Sequence, residues 1–212
     1  MSERLKKVFA DIDAANAGDP RRDTLNGEEL PFEVVYSRRM LRRLEKMYPD
    51  APETLKIAAH GQHIRRFDIP RADFPEGRKG YNQWRKAARE HHATLLGEIM
   101  RRHGYSDDEI AEVQKLVRKE QLKKDRLSQA LENVVDVVFV EHYLEPFLKK
   151  YAHYDEDKRI DIVARTLLKM SPKGHEEALS LDLPEEHRRL IEKAIERVRP
   201  QLERMANAAL DW

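Results

Sequence analysis

LSQALENVVDVVFVEHYLEP, residues 127–146, decides how the whole chain is read. Its centre, VVDVVFV from Val134 to Val140, holds five valines in seven residues. That composition favours a strand, because β-branched side chains sit well on a pleated surface. The flanks argue the other way. LSQALEN and EHYLEP continue a helical pattern, and no turn residue separates them from the valines. A lone strand would also have no partner elsewhere in the chain. The segment therefore reads as a buried helix over Ser128 to about Tyr151, and the chain as all-α.

Working outward, helical spacing recurs. Leu5, Val8, Phe9 and Ile12 make a first stripe, which Asn16 to Pro20 interrupts. Arg21 to Leu30 reads as polar loop. Pro31 suits a first helical turn, followed by Val34, Ser37, Leu41, Leu44 and Tyr48. Pro52 opens a helix predicted to reach about Arg66. A basic irregular loop follows over 67–80, with Pro70, Pro75, Gly77 and Gly80. Trp84, Ala88, His91, Leu95 and Ile99 form the next stripe, ended by Gly104. Ser106-Asp107-Asp108-Glu109 reads as a capping box before Ile110, Val113 and Val117. Downstream come Ile160, Val163 and Leu167, then Ser171-Pro172 as cap and first turn, and a last helix from Pro184.

Composition sets the class. The 212 residues are 40% hydrophobic and 37% charged, as expected of one compact multi-helix domain over 1–212. Without cysteine there is no disulfide, iron–sulfur cluster, thiolate zinc site or cysteine nucleophile. No apolar run reaches the roughly 18 residues of a membrane span. The start, MSERLKKVFADIDAA, reads as an amphipathic helix and not a signal peptide, so a cytoplasmic address and no membrane partner are expected. Forty Lys and Arg balance thirty-nine Asp and Glu, yet His60–His92 holds eight basic against four acidic residues. That segment carries +4 and the rest of the chain about −3.

Candidate chemistry clusters in the same segment. His60 and His63 stand three apart, so a helix presents both on one face, fit for a shared metal or anion. The bland reading is one core and one solvated histidine. Gly61 between them costs helix stability and would let a helix or a ligand come close. Arg66, Arg71 and Arg85 offer guanidinium forks that match phosphate or carboxylate oxygens. Tyr81 and Trp84 interleave with them and are candidates to stack on a ring, though Trp84 also lies on the apolar stripe. His91 falls on that stripe, with His92 on its flank. Asp136, the one polar residue in VVDVVFV, needs a histidine, an arginine or a metal to meet it. Lys169, Lys173 and His175 stand close in sequence to Ser171, where a helix start exposes backbone N–H groups. Glycine-loop nucleotide motifs and HExxH are absent from the sequence.

HGQHIRRFDIPRADFPEGRKGYNQWR (60–85), LENVVDVVFVEHYLEPF (131–147) and KMSPKGHEEAL (169–179) resemble a bacterial and fungal family known as a domain of unknown function. The resemblance spans about residues 3–200 and implies no activity. Some members carry a glutamyl-tRNA synthetase label. This chain is too short for that catalytic domain and lacks its HIGH-like and KMSKS-like signatures; KMSPKG is only superficially similar. A second resemblance is to the HD-type metal phosphohydrolases. AAHGQHIRR (58–66) lies on their AALLHDIG-like helix, with Gln62 where their histidine and His63 where their aspartate stand. His91 or His92 match the middle histidines, Asp136 matches the late aspartate, and Tyr36 or Ser37 stands where the first ligand histidine belongs. The motif is degenerate, because the adjacent His-Asp pair is broken.

Together these imply an HD-like helical domain binding a small phosphorylated or anionic molecule. If it is an enzyme, the expected reaction is hydrolysis of a phosphate ester. One divalent ion would be held by His63, His91 and Asp136, with His60 or His92 moving a proton. Arg66, Arg71, Tyr81, Trp84, Arg85 and Lys169 would bind the substrate. The rivals are a non-catalytic module binding RNA or a nucleotide, with small ligands favoured over RNA, and a helical scaffold with Asp136 paired internally.

Overall fold

Helix α1 (Glu3–Asn16) starts where Ser2 Oγ accepts a hydrogen bond from the Leu5 N–H at 3.2 Å, and it buries Leu5, Val8 and Ile12. In the computed structural model, which describes residues 1–206, the chain is mostly helical. It divides into two compact units, Met1–Glu120 and the part from Gln121 onward, where the sequence reading expects one domain. No described helix is long and apolar enough to cross a membrane.

In the first unit the expected loop at 21–30 is instead a hairpin. Strands β1 (Arg22–Leu25) and β2 (Glu28–Pro31) pair antiparallel. Asn26 and Gly27 close it with φ of 53° and 84°. Positive φ at both positions is the type I′ two-residue hairpin turn, for which Asn-Gly is the strongest short-range signal. Helix α2 (Phe32–Met47) follows directly, then α3 (Glu53–His60). Thr54, Leu55, Ile57, Ala58, Ala59 and His60 of α3 are all buried, so it is a central helix and not an amphipathic surface one.

Helix α3 stops at His60, short of the expected Arg66. The chain leaves through turns and two short 3₁₀ segments, Arg66–Asp68 and Arg71–Asp73. Helix α4 (Gly77–Arg102) starts inside the stretch expected as loop and packs along α5 (Asp107–Arg118). Helix α5 has the expected capping box, and α3 packs against α1, α2 and α5. The buried stripe of α4 is Ala88, His92, Ala93, Leu96, Ile99 and Met100. His91, Leu95 and Trp84 are half-buried flanks. The stripe is thus turned by about one residue from the expected one, and His92 takes the inward place assigned to His91.

Gly61 explains how α4 crosses the end of α3. A Cβ there would lie 2.4 Å from Leu96 Cδ2 and 2.9 Å from its Cδ1. The close approach expected at Gly61 is made by a helix.

In the second unit the valine-rich segment is helical, as its flanks imply. Helix α6 (Arg126–Val138) starts from an Asp125 cap and runs into a π-helical turn, Phe139–Tyr143, and then α7 (Leu144–Lys150). Pro146 sits in the first turn of α7, where a missing N–H is tolerated, and the wide turn before it relieves the clash with the preceding carbonyl. Helix α6 packs on α9 (Pro172–Leu179), and α8 (Glu156–Leu167) on α10 (Glu185–Ala206). Ser171 stands at the start of α9 with Pro172 after it, but its side chain makes no capping bond. Its Oγ accepts from Asn133 Nδ2 at 2.8 Å, and its N–H donates to Asn133 Oδ1 at 2.9 Å, so it ties α9 to α6.

Gly61→Ala should destabilise the protein by about 1–3 kcal/mol through overpacking. Urea unfolding of Gly61→Ala, Leu96→Ala and the double variant checks this. The double variant should lose less than the sum of the single losses, because removing Leu96 makes room for the new methyl.

Candidate functional site

The first unit concentrates buried charge where α1, the hairpin and the end of α3 meet. Asp19 and Glu33 have fully buried side chains. The Glu33 N–H, at the first turn of α2, donates to Asp19 Oδ2 at 3.2 Å. Arg21 serves both acids. It donates to Asp19 Oδ1 and Oδ2 at 3.0 and 2.7 Å, and to Glu33 Oε1 at 2.7 Å. One guanidinium thus answers two carboxylates. Burial works to raise the Asp19 pKa, but the hydrogen bonds from Arg21 and Glu33 hold it below the usual range. Burial pushes Glu33 up to about 7 against the opposing pull of Arg21. Its second oxygen, Oε2, is buried with no hydrogen-bond partner among the described residues and lies 3.7 Å from His63 Nδ1.

Three histidine rings follow one another from the His63 that stands beside this carboxylate. The His63 ring stacks on Tyr36 with centroids 4.2 Å apart and lies 5.9 Å from the His92 ring. His92 lies 6.0 Å from His91. His92 bonds the Ile64 carbonyl through Nδ1 at 2.8 Å, which leaves its buried Nε2 without a partner among the described residues. Burial, reinforced by the charge of Arg66, lowers the His92 pKa to about 3. The same causes hold His63 well below its ordinary value, so both rings are neutral at neutral pH. His91 Nε2 stands 3.3 Å from Asp68 Oδ2, without the alignment of a hydrogen bond.

Arg66 completes the cluster. Its guanidinium lies 4.5 Å from the Trp84 ring centre, and Trp84 Nε1 is anchored on the Ile69 carbonyl at 2.8 Å. Burial lowers the Arg66 pKa, and the negative charge of Glu33 partly offsets this. Tyr81, 44% exposed, stands 5.6 Å from Trp84, with Arg85 5.7 Å from its ring. Of the residues expected to bind substrate, Arg66, Tyr81, Trp84 and Arg85 come together. Arg71 is taken up in its own loop, where it donates to the Phe74 and Pro75 carbonyls at 2.8 and 2.9 Å.

Other expected roles meet competing bonds. His60 was assigned proton transfer, but both its ring nitrogens are engaged. Nδ1 meets Ser37 O at 3.2 Å and Nε2 meets Asp13 Oδ1 at 2.8 Å. Asp136 belongs to the second unit, where the cation that meets it is Lys169, 2.5 Å away. Lys169 also reaches Glu132 Oε1 at 3.2 Å, so it is committed to two buried carboxylates. Burial works to lower the Lys169 pKa, and the charges of Asp136 and Glu132 outweigh it and hold it high. The metal set of His63, His91 and Asp136 finds no support in this arrangement. Among the described residues no group of three or more His, Asp or Glu is arranged to hold a metal ion.

Nothing in the sequence reading makes Glu33, Asp19 or Arg21 part of a site. Glu33 carried a weak signal, as the acid beside Val34, Val35 and Tyr36 in a first helical turn. An acid there is ordinarily explained by the helix dipole, which hid it.

A family model described as a domain of unknown function (DUF4202) matches residues 6–191. No curated protein and no solved structure matches the chain significantly. Neither the synthetase label nor the likeness to HD-type phosphohydrolases draws support from these comparisons.

The two shifted groups pull stability in opposite directions with pH. His92 has a folded pKa near 3 against about 6.5 unfolded, so its contribution is whole above 6.5 and is lost as pH falls. Glu33 has a folded pKa near 7 against about 4.5 unfolded, so its contribution is whole below 4.5 and is lost as pH rises toward 7. His92→Asn keeps a donor for the Ile64 carbonyl but does not titrate. Between pH 7 and 5 it should lose about 2 kcal/mol less stability than the parent. Glu33→Gln should lose less than the parent from pH 5 to 8. Urea midpoints of the parent and both variants across this range decide both.

Proposed function

The chain belongs to the DUF4202 family, and we propose that its first unit binds a small phosphorylated anion with Arg66 as the seat. The observation that carries this is the state of Arg66 beside its neighbours. Arg21 is held by Asp19 and Glu33, Arg65 by Asp68 at 2.7 Å, and Arg71 by backbone carbonyls. Arg66 is half-buried and lies against Trp84, and its guanidinium has neither a hydrogen bond nor an ion pair among the described residues. A guanidinium drawn partly out of water without a partner is costly, and an anion offsets that cost.

Arg85 supplies a second positive charge on the same side, close enough to lower the Arg66 pKa. Two guanidinium groups suit a dianionic phosphate better than a carboxylate. Glu33 is within electrostatic reach, but its hydrogen bond goes to Arg21. The basic residues of this segment do not form a continuous track. Arg65 and Arg71 are consumed locally, which favours a small ligand over an RNA backbone. The cluster supports binding.

Calorimetric titration with inorganic phosphate, then with ribose 5-phosphate, tests the proposal. The parent should bind both, and Arg66→Ala should weaken each at least about tenfold, as expected for loss of a charged hydrogen bond. Arg71→Ala should bind as the parent does. Equal affinity in parent and Arg66→Ala, or no binding by the parent, would sink the proposal.

A further inference from the structure

Two buried polar atoms are left over beside Arg66, and they bear on the organic half of the ligand. His92 Nδ1 faces the Ile64 carbonyl, so Nδ1 carries the ring proton and Nε2 presents a lone pair. That Nε2 belongs to a side chain 99% buried and meets no partner among the described residues. Glu33 Oε2, on a wholly buried side chain, is in the same condition. Its closest polar neighbour across the cluster, His63 Nδ1 at 3.7 Å, is beyond hydrogen-bonding distance. Native proteins rarely leave such atoms orphaned, and a pair of them in one cluster asks for a shared partner.

The chemistry of that partner follows from the two atoms. His92 Nε2 can only accept, so it needs a donor and not a second anion. Glu33 accepts when ionised and can donate when protonated. A hydroxyl both donates and accepts, so it satisfies either form of Glu33 as well as His92. The His63 ring neighbours both, with Nδ1 3.7 Å from Glu33 Oε2 and its centroid 5.9 Å from that of His92, and its side chain is 24% exposed.

Resting on Arg66 as the phosphate seat, we infer that the ligand is the phosphate ester of a polyhydroxylated skeleton. It is a sugar phosphate, free or as the ribose phosphate of a nucleotide, with hydroxyls bonded to His92 Nε2 and Glu33 Oε2. Tyr81, exposed at the outer side of Trp84, offers a face to a base if the source is a nucleotide.

The test compares inorganic phosphate, n-pentyl phosphate, ribose 5-phosphate and adenosine monophosphate by calorimetry on the full chain. The proteins are the parent, His92→Asn, Glu33→Gln and Arg66→Ala, with circular dichroism to verify each fold. The parent should prefer ribose 5-phosphate to n-pentyl phosphate by about tenfold. His92→Asn and Glu33→Gln should each shrink that preference, read within each variant as the ratio of its two affinities. Tighter binding of adenosine monophosphate than of ribose 5-phosphate assigns a nucleotide, and equal or weaker binding assigns a free sugar phosphate. Equal affinity of the parent for ribose 5-phosphate and n-pentyl phosphate overturns the inference while leaving Arg66 as the seat. So does a preference that survives both substitutions. Loss of all phosphate binding, or its persistence in Arg66→Ala, overturns both readings together.

Discussion

Asn16 holds together the part of the molecule on which the candidate site depends. It is wholly buried at the end of α1. Its Nδ2 donates to Ser37 Oγ on α2 at 3.0 Å, and its Oδ1 accepts from the Arg65 N–H at 2.8 Å. One side chain therefore joins two helices to the turn that leaves a third. Arg65 is held there in the left-handed region at φ 48°, a conformation that costs a non-glycine residue about 1 kcal/mol or more. With the backbone turned this way, the Arg65 side chain reaches Asp68 while its neighbour Arg66 lies against Trp84. Two adjacent arginines of equal intrinsic chemistry thus acquire opposite environments.

The electrostatics of the first unit follow from an unequal pairing. Asp19 and Glu33 are both buried and share Arg21. Asp19 receives more hydrogen bonds and stays ionised, whereas Glu33 is left with one bare oxygen. Buried carboxylates without full compensation are expensive, and a fold that retains one spends stability on it. The second unit handles the same problem differently. Lys169 bridges Glu132 and Asp136 at short range, and the neighbouring Asn133–Ser171 bonds tie α6 to α9. Its buried acids read as internal structure.

Much of the helical framework was legible locally. Ser2, Ser106 and Asp125 act through their own first turns, and the π-helical turn before Pro146 answers to a proline at a known position. The valine-rich run was ambiguous by composition and resolved by its flanks, because a helix with no turn inside it must include everything between its ends. The hairpin was equally legible at Asn26-Gly27 but was hidden by four-residue strands too short to show alternation. The inward face of α4 was off by one position. Ala88 is compatible with both stripes, and only contact with α5 and α1 separates them.

The amino-acid sequence by itself determined that the chain is mostly helical, that its basic charge is local, and that Asp136 needed a positive partner, for which it pointed to histidine, arginine or a metal and not to the lysine found. Each of these follows from residue type, from spacing along one helix, or from the cost of burying a charge. Only the tertiary structure decided that the cation is Lys169, that His92 and not His91 turns inward, and that both nitrogens of His60 are occupied. It also decided that the Arg66 guanidinium lies against Trp84 with no hydrogen bond or ion pair among the described residues, while the adjacent Arg65 pairs with Asp68. These outcomes depend on partners many residues away in the chain, and side chains of one type are indistinguishable until those partners are in place.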